Sequence, residues 1–145
     1  MARRDDFHFK VIIALEKEGW TITDDPLLLK FEDLVLQADL GAERALGAEK
    51  AGRKIAVEVK DFDGASTANE LQKMAGQLLL YQWSLDEQEP DRELFLAVSN
   101  GVFDRLFQKP SYKTVTRRNK IKLVVFDEST EVILQWINPD GTPTS

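Results

Sequence analysis

Three side chains in this 145-residue chain have types and spacing suited to chemistry: Asp39, and Glu58 and Lys60 of the triplet Glu58-Val59-Lys60. Alternate side chains of an extended strand share a face, so Ile55, Val57 and Val59 point one way and Ala56, Glu58 and Lys60 the other. A carboxylate and an ammonium then project together. Alone, a Glu-x-Lys spacing is weak and fits a half-solvated strand with a surface ion pair equally well. Asp39 adds a second carboxylate, on the strand read as preceding this one across a hairpin. Two such carboxylates can hold magnesium, or manganese, through oxygen ligands. A neighbouring lysine can orient or activate a water and offset charge building on a phosphate. Gln77 and Tyr81 lie four residues apart on a helical face bordering this set, where a core Tyr81 with Gln77 at its rim is the plainer reading.

These residues need elements to hold them. A first helix is expected from Arg4 or Asp5 to Gly19, with Phe7, Val11, Ala14 and Leu15 as its buried stripe and Gly19 as a left-handed stop. Trp20–Thr23 reads as extended, Asp24-Asp25-Pro26 as a turn, and Leu27–Phe31 as a strand. The alternation of Leu34, Leu36, Ala38 and Leu40 predicts a strand that carries Asp39. Gly41–Lys50 is rich in Ala and Glu, and its helical composition is expected to mislead. Ala51-Gly52 reads as a hairpin turn before the strand Arg53–Asp61. Ser66 should cap a long helix from Thr67 to Asp86, which Glu89-Pro90-Asp91 ends. A buried strand Glu93–Val98, a short helix near Phe103–Phe107, and strands Ile121–Phe126 and Glu131–Ile137 complete a mixed α/β domain over residues 1–138. Residues 139–145 read as a flexible tail.

Composition narrows the function. There is no cysteine, which excludes disulfides, thiolate zinc sites and a cysteine nucleophile. No apolar stretch is long enough to span a bilayer, and the charged N-terminus is unlike a signal peptide, so a cytoplasmic protein without membrane contact is expected. A net charge of −6 argues against a general nucleic-acid coat. Yet residues 105–126 hold no acid while carrying Arg105, Lys109, Lys113, Arg117, Arg118, Lys120 and Lys122. That segment is either a solvated, salt-bridged face or a local phosphate contact. His8, Glu16 and Glu18 are read as packing or surface residues of the first helix.

The set Asp39, Glu58-Val59-Lys60 and Gln77-Leu78-Leu79-Leu80-Tyr81 resembles the motif D…E-x-K…Q-x-x-x-Y of the RecB-like branch of PD-(D/E)xK nucleases. Gly19-Trp20-Thr21-Ile22-Thr23, Ala38-Asp39-Leu40-Gly41-Ala42-Glu43, Lys54–Lys60 and Gly76-Gln77 further resemble the XisH family, the fdxN element excision controlling factors. The likeness runs from about Asp5 to Trp136. It implies a restriction-endonuclease-like fold with core order αβββαβ and two extra C-terminal strands. It implies Asp39, Glu58 and the Val59 carbonyl as ligands of magnesium or manganese, Lys60 as the catalytic lysine, and Gln77 and Tyr81 as positioning residues. The implied partners are DNA, an XisI-like protein and a separate site-specific recombinase, with a homodimer open. Ala38 stands where the wider nuclease pattern has proline. Two functions follow as expectations: a metal-dependent endonuclease, or a non-cutting factor that binds DNA or a partner to control excision.

Overall fold

The computed structural model describes residues 3–36, 45–64 and 66–144. Helix α1 (Arg3–Lys17) ends in a two-bond stop: Trp20 N–H donates to the Leu15 carbonyl and Gly19 N–H to that of Glu16. Gly19 has φ +94°, which a residue without Cβ adopts freely. Strand β1 (Thr21–Asp24) leaves this stop, and β4 (Ala45–Lys50) and β5 (Arg53–Val59) form a hairpin. Both of its turn residues, Ala51 and Gly52, have positive φ, the twist a two-residue hairpin requires. For residues 45–50 the helical composition does mislead: they pair with β5 along their whole length. In a strand covered on both faces, burial outweighs local propensity.

Helix α2 (Thr67–Gln88) is capped by Ser66, whose side chain accepts from Asn69 N–H. It crosses to β6 (Glu93–Ser99), which runs parallel to β5. Helices α3 (Asn100–Arg105) and α4 (Pro110–Arg118) lead to β7 (Lys122–Asp127) and β8 (Val132–Ile137). The six strands lie in the order β1-β4-β5-β6-β7-β8. The β5–β6 and β6–β7 pairs are parallel and the others antiparallel. One face of the sheet joins α1 in an apolar layer with Ile55, Val57, Val59, Phe95 and Phe126. The other joins α2 and the region of α3 and α4 through Ala56, Leu96, Val98, Leu123 and Val125. The result is a mixed α/β fold with a mixed sheet between helical layers.

Three expectations need correction. The segments Leu27–Phe31 and Leu34–Leu36 do not supply strands to the main sheet. Strands β2 (Leu29–Phe31) and β3 (Leu34–Leu36) pair only with each other, in a hairpin inserted between β1 and β4. Its polar anchor is the Lys30 carbonyl, which accepts from both Ser84 Oγ and Gln88 Nε2 of α2. The continuation of β3 expected through Asp39 to Leu40 lies outside the described residues. Second, α4 went unread because it is short and polar on the whole; its signal is Pro110 at the first turn. Third, residues 138–144 fold back on β8 rather than trail away from it. Thr144 N–H donates to the Trp136 carbonyl, Asn138 N–H to that of Thr142, and Ile137 pairs with Pro143.

The strand starts are tied together by one carboxylate. Glu93, which opens β6, accepts from Arg53 of β5 at 2.9 Å and from Lys122 of β7 at 3.0 Å. Burial pushes its carboxyl up, but Lys122 and Arg53 together outweigh that and hold it below its ordinary 4.5. A carboxyl depressed by folding stabilises fully above its unfolded value, and that contribution is lost as pH falls through the folded one. The Glu93→Gln variant should therefore melt below the wild type near neutral pH, and the gap should close as pH drops below 4.5. Thermal melts of both proteins across that range check it.

Candidate functional site

Strand β5 ends in charge. Glu58 is 1% exposed, Lys60 2% and Asp61 8%. Desolvating a charged group costs several kcal/mol, so three in succession at one strand end mark a place where folding stability is not the sole requirement. Register tells which way Glu58 faces. Its cross-strand partner is Ala45, and directly opposed residues share a face. Ala45 belongs to the layer under α2, so Glu58 faces α2 while Val57 and Val59 face α1. Lys60 is on the same side: its ammonium lies 5.5 Å from the centroid of the Phe62 ring, which also belongs to the α2 layer.

Phe62 pins the loop that follows. It is a non-glycine residue with φ +56°, a sparsely populated conformation that persists only when surroundings enforce it. Here the ring is 1% exposed and meets Phe107 edge-on at 5.4 Å, with Tyr112 at 6.4 Å. Arg105 Nη2 donates to the Phe62 carbonyl at 3.3 Å. Tyr112 donates its hydroxyl proton to the Thr67 carbonyl at 2.7 Å, joining α4 to the start of α2. Burial pushes the Tyr112 hydroxyl pKa up, Glu70 pushes it further, and Arg105 opposes them. Glu70 comes close because Gly64 has no side chain: a Cβ there would stand 2.5 Å from Glu70 Oε1.

Helix α2 covers the site. Met74, Leu78, Tyr81 and Leu85 are its buried apolar side chains, and Tyr81 packs in the layer that Glu58 faces. Gln77, one turn before Tyr81, is half-buried. Its Oε1 is fully enclosed and makes no hydrogen bond among the described residues. An enclosed polar atom without a partner is uncommon and calls for an explanation; an amide oxygen held this way is free to accept from, or ligate, something that enters.

The structure thus gathers Glu58, Lys60, Gln77 and Tyr81 on one side of the sheet, whereas Asp39 lies outside the described residues. Asp61, Phe62 and Arg105 belong to the same end; the first two were not singled out from sequence, and Arg105 only as part of the basic segment. The available signal was the unbroken run Glu58-Val59-Lys60-Asp61, whose last acid follows the strand. Residues of α1 play no part here. His8 is buried and hydrogen-bonds to the Asp25 carboxylate at 3.0 Å, Glu18 accepts from the Trp136 indole, and Glu16 is exposed. As for a hard divalent cation, the described residues contain no cluster of three or more His, Asp or Glu side chains able to hold one. The buried Glu58 carboxylate has the right donor chemistry, and a complete set needs a ligand from outside those residues. No helix among the described residues is long and apolar enough to cross a membrane.

With this geometry in place, the comparisons carry weight. The sequence model of the family described as XisH protein matches residues 1–134. The fold is similar to the crystal structure of an XisH family protein from Nostoc punctiforme PCC 73102. The TM-score is 0.84 and the identity 38%, covering 92% of this chain and all of that one. It is equally similar to the crystal structure of an fdxN element excision controlling factor protein from Anabaena variabilis. There the TM-score is 0.83 and the identity 42%, over 93% of this chain and all of that one. Among curated proteins, none matches.

Buried charge makes a stability prediction. Lys60→Met leaves carboxylates enclosed without that ammonium and should destabilise by about 3–5 kcal/mol. Adding Glu58→Gln to it should return stability to the wild-type level or above, since neutral isosteres of buried charges are often neutral or stabilising. Denaturant melts in chelator compare the three proteins. A double variant as unstable as Lys60→Met would contradict the assignment.

Proposed function

Because this chain belongs to the XisH family, we propose that it acts in the controlled excision of a DNA element as a metal-dependent endonuclease of the PD-(D/E)xK type. The observation that carries this reading is the burial of Glu58, Lys60 and Asp61 at the α2-covered end of β5, beside the enclosed amide oxygen of Gln77. Asp39, Glu58 and the Val59 carbonyl would hold magnesium or manganese. When bound, the ion would polarise the phosphate and make water more acidic. Lys60 orients the attacking water and offsets the negative charge that grows on the phosphoryl oxygens. The water gives up a proton to solvent as its oxygen forms a bond to phosphorus, one P–O ester bond breaks, and the departing oxygen takes a proton from solvent. Gln77 holds a phosphate oxygen or the water through its side-chain amide, and Tyr81 fixes the α2 side of the site by packing. Burial strengthens each of these interactions, since the low local dielectric screens them less than water does.

A second reading is favoured by a separate observation. Leu28, Leu34 and Val35 of the hairpin, with Leu79 and Trp83 of α2, are large apolar side chains that are 42–56% exposed. Phe31 meets Trp83 at 5.7 Å, so hairpin and helix are continuous there. Exposed apolar groups gathered this way suit a protein partner; in this reading an XisI-like protein docks there and the chain controls excision without cutting.

Plasmid and branched DNA should be cleaved with magnesium or manganese, and Lys60→Ala should slow cleavage by about a hundredfold or more. Glu58→Gln should lose metal binding in a titration. An absence of cleavage with either metal, or a rate untouched by Lys60→Ala, would refute the nuclease. Excision that survives Asp39→Ala in cells, together with loss of the XisI-like partner on Trp83→Arg, would establish the second reading in its place.

A further inference from the structure

We infer that a cleft between α4 and the turn after β8 binds a single unstacked nucleotide, its phosphate held by Lys113 and Arg117 and its base against Phe103 and Phe107. This deepens the proposed DNA function and rests on it. The cleft encloses about 340 Å³, within the range of small-ligand sites. Its walls include Phe103, Phe107, Ile121 and Leu123, and Lys113 and Arg117 line its rim. Phe107, Ile121 and Leu123 are buried in the layer under α2, against which Phe103 packs. The cleft therefore opens on the side of the sheet that Glu58 faces.

The two cations lie four residues apart on α4, which places them on one helical face. Both are exposed, and neither forms an ion pair among the described residues. They differ in this from Lys122, which is paired with Glu93, and from Arg105, which is spent on the Phe62 carbonyl. Arg117 also complements the negative end of α4, but Lys113 is in mid-helix, where no such benefit arises. One carboxylate borders the cleft, that of Asp140. It is turned into its own loop, accepting from Thr142 N–H at 2.9 Å and from the Thr142 hydroxyl at 2.6 Å.

Apolar and aromatic walls under a cationic rim select a ligand that is flat and apolar at one end and anionic at the other. A nucleotide has that form, and an acidic peptide side chain lacks the apolar body. A base stacked and paired in duplex DNA cannot enter, so the ligand is a free nucleotide or an unpaired residue of a strand.

Binding of labelled single-stranded and duplex oligonucleotides, in chelator so that no cleavage occurs, tests the cleft. Single strands should bind more tightly than duplex. Lys113→Glu with Arg117→Glu, both at exposed positions, should weaken single-strand binding at least tenfold in low salt. It should also reduce the log–log salt slope by about 0.7, for the one phosphate that the two cations hold. Phe103→Ala should weaken single-strand binding about fivefold or more and leave duplex binding unchanged, with thermal melts confirming the fold. A nucleoside monophosphate binding as tightly as the oligomer assigns the cleft to a free nucleotide; weaker competition assigns it to a strand. Wild-type binding by the double variant, or competition by polyglutamate equal to that of the nucleotide, would overturn the inference. Absent cleavage with this binding intact would remove the nuclease reading and leave the cleft standing.

Discussion

From Ile55 onward, strand β5 has no side that faces water. It lies inside the six-stranded sheet, with the α1 layer against one face and the α2 layer against the other. Every side chain from there to the strand's end must therefore be apolar or be enclosed at a cost. Ile55, Ala56 and Val57 meet that demand, and Glu58 does not. The strand's course explains why the exception falls where it does. Only toward the end of β5, where the chain leaves the sheet and bends through Asp61 and Phe62, can polar groups converge from a strand, a loop and a helix. The strain at Phe62 and the bond from Arg105 to its carbonyl hold that bend.

The opposite end of the sheet handles charge differently. There Glu93 bridges Arg53 and Lys122 with its carboxylate still 37% exposed, so water shares the work of solvating all three groups. Arg92 next to it is deeply buried, yet it donates to the Ile55 carbonyl and to the Glu89 carboxylate. Gly47 makes room, since a Cβ there would stand 2.6 Å from Asp24 Oδ2 and 3.0 Å from Arg92 Nη1. One end is thus a polar clasp that serves the fold, and the other encloses charges in a manner that serves it poorly.

What could be read from sequence divides along physical lines. Local chemistry was readable: Gly19 as a stop, Ser66 as a cap, Ala51-Gly52 as a turn, and the two faces of β5 by alternation. Each depends on a few adjacent residues and their backbone geometry. Long-range choices were not readable. Leu34–Leu36 alternates as a core strand would, but a short strand beside polar Glu32 and Asp33 finds its partner in β2 rather than in the sheet, and only the tertiary arrangement decides that. Asp61 was not read as part of the site, and Arg105 was read only as one of a run of cations; their position comes from the path of the loop and the placing of α3. The side chains of Glu58, Lys60, Gln77 and Tyr81 were brought under suspicion by spacing and family likeness, and the fold puts them on a common side.

The β2–β3 hairpin lies in sequence between β1 and β4, two strands that are neighbours in the sheet. Its exposed positions, Leu34 and Val35 among them, can accordingly be exchanged while β1, β4 and β5 keep their pairing, whereas Leu29 is held in the core. Its hold on α2 runs through the Lys30 main-chain carbonyl, which every amino acid supplies. Such a segment is where related chains can diverge fastest in what they recognise, with the six-stranded scaffold unchanged.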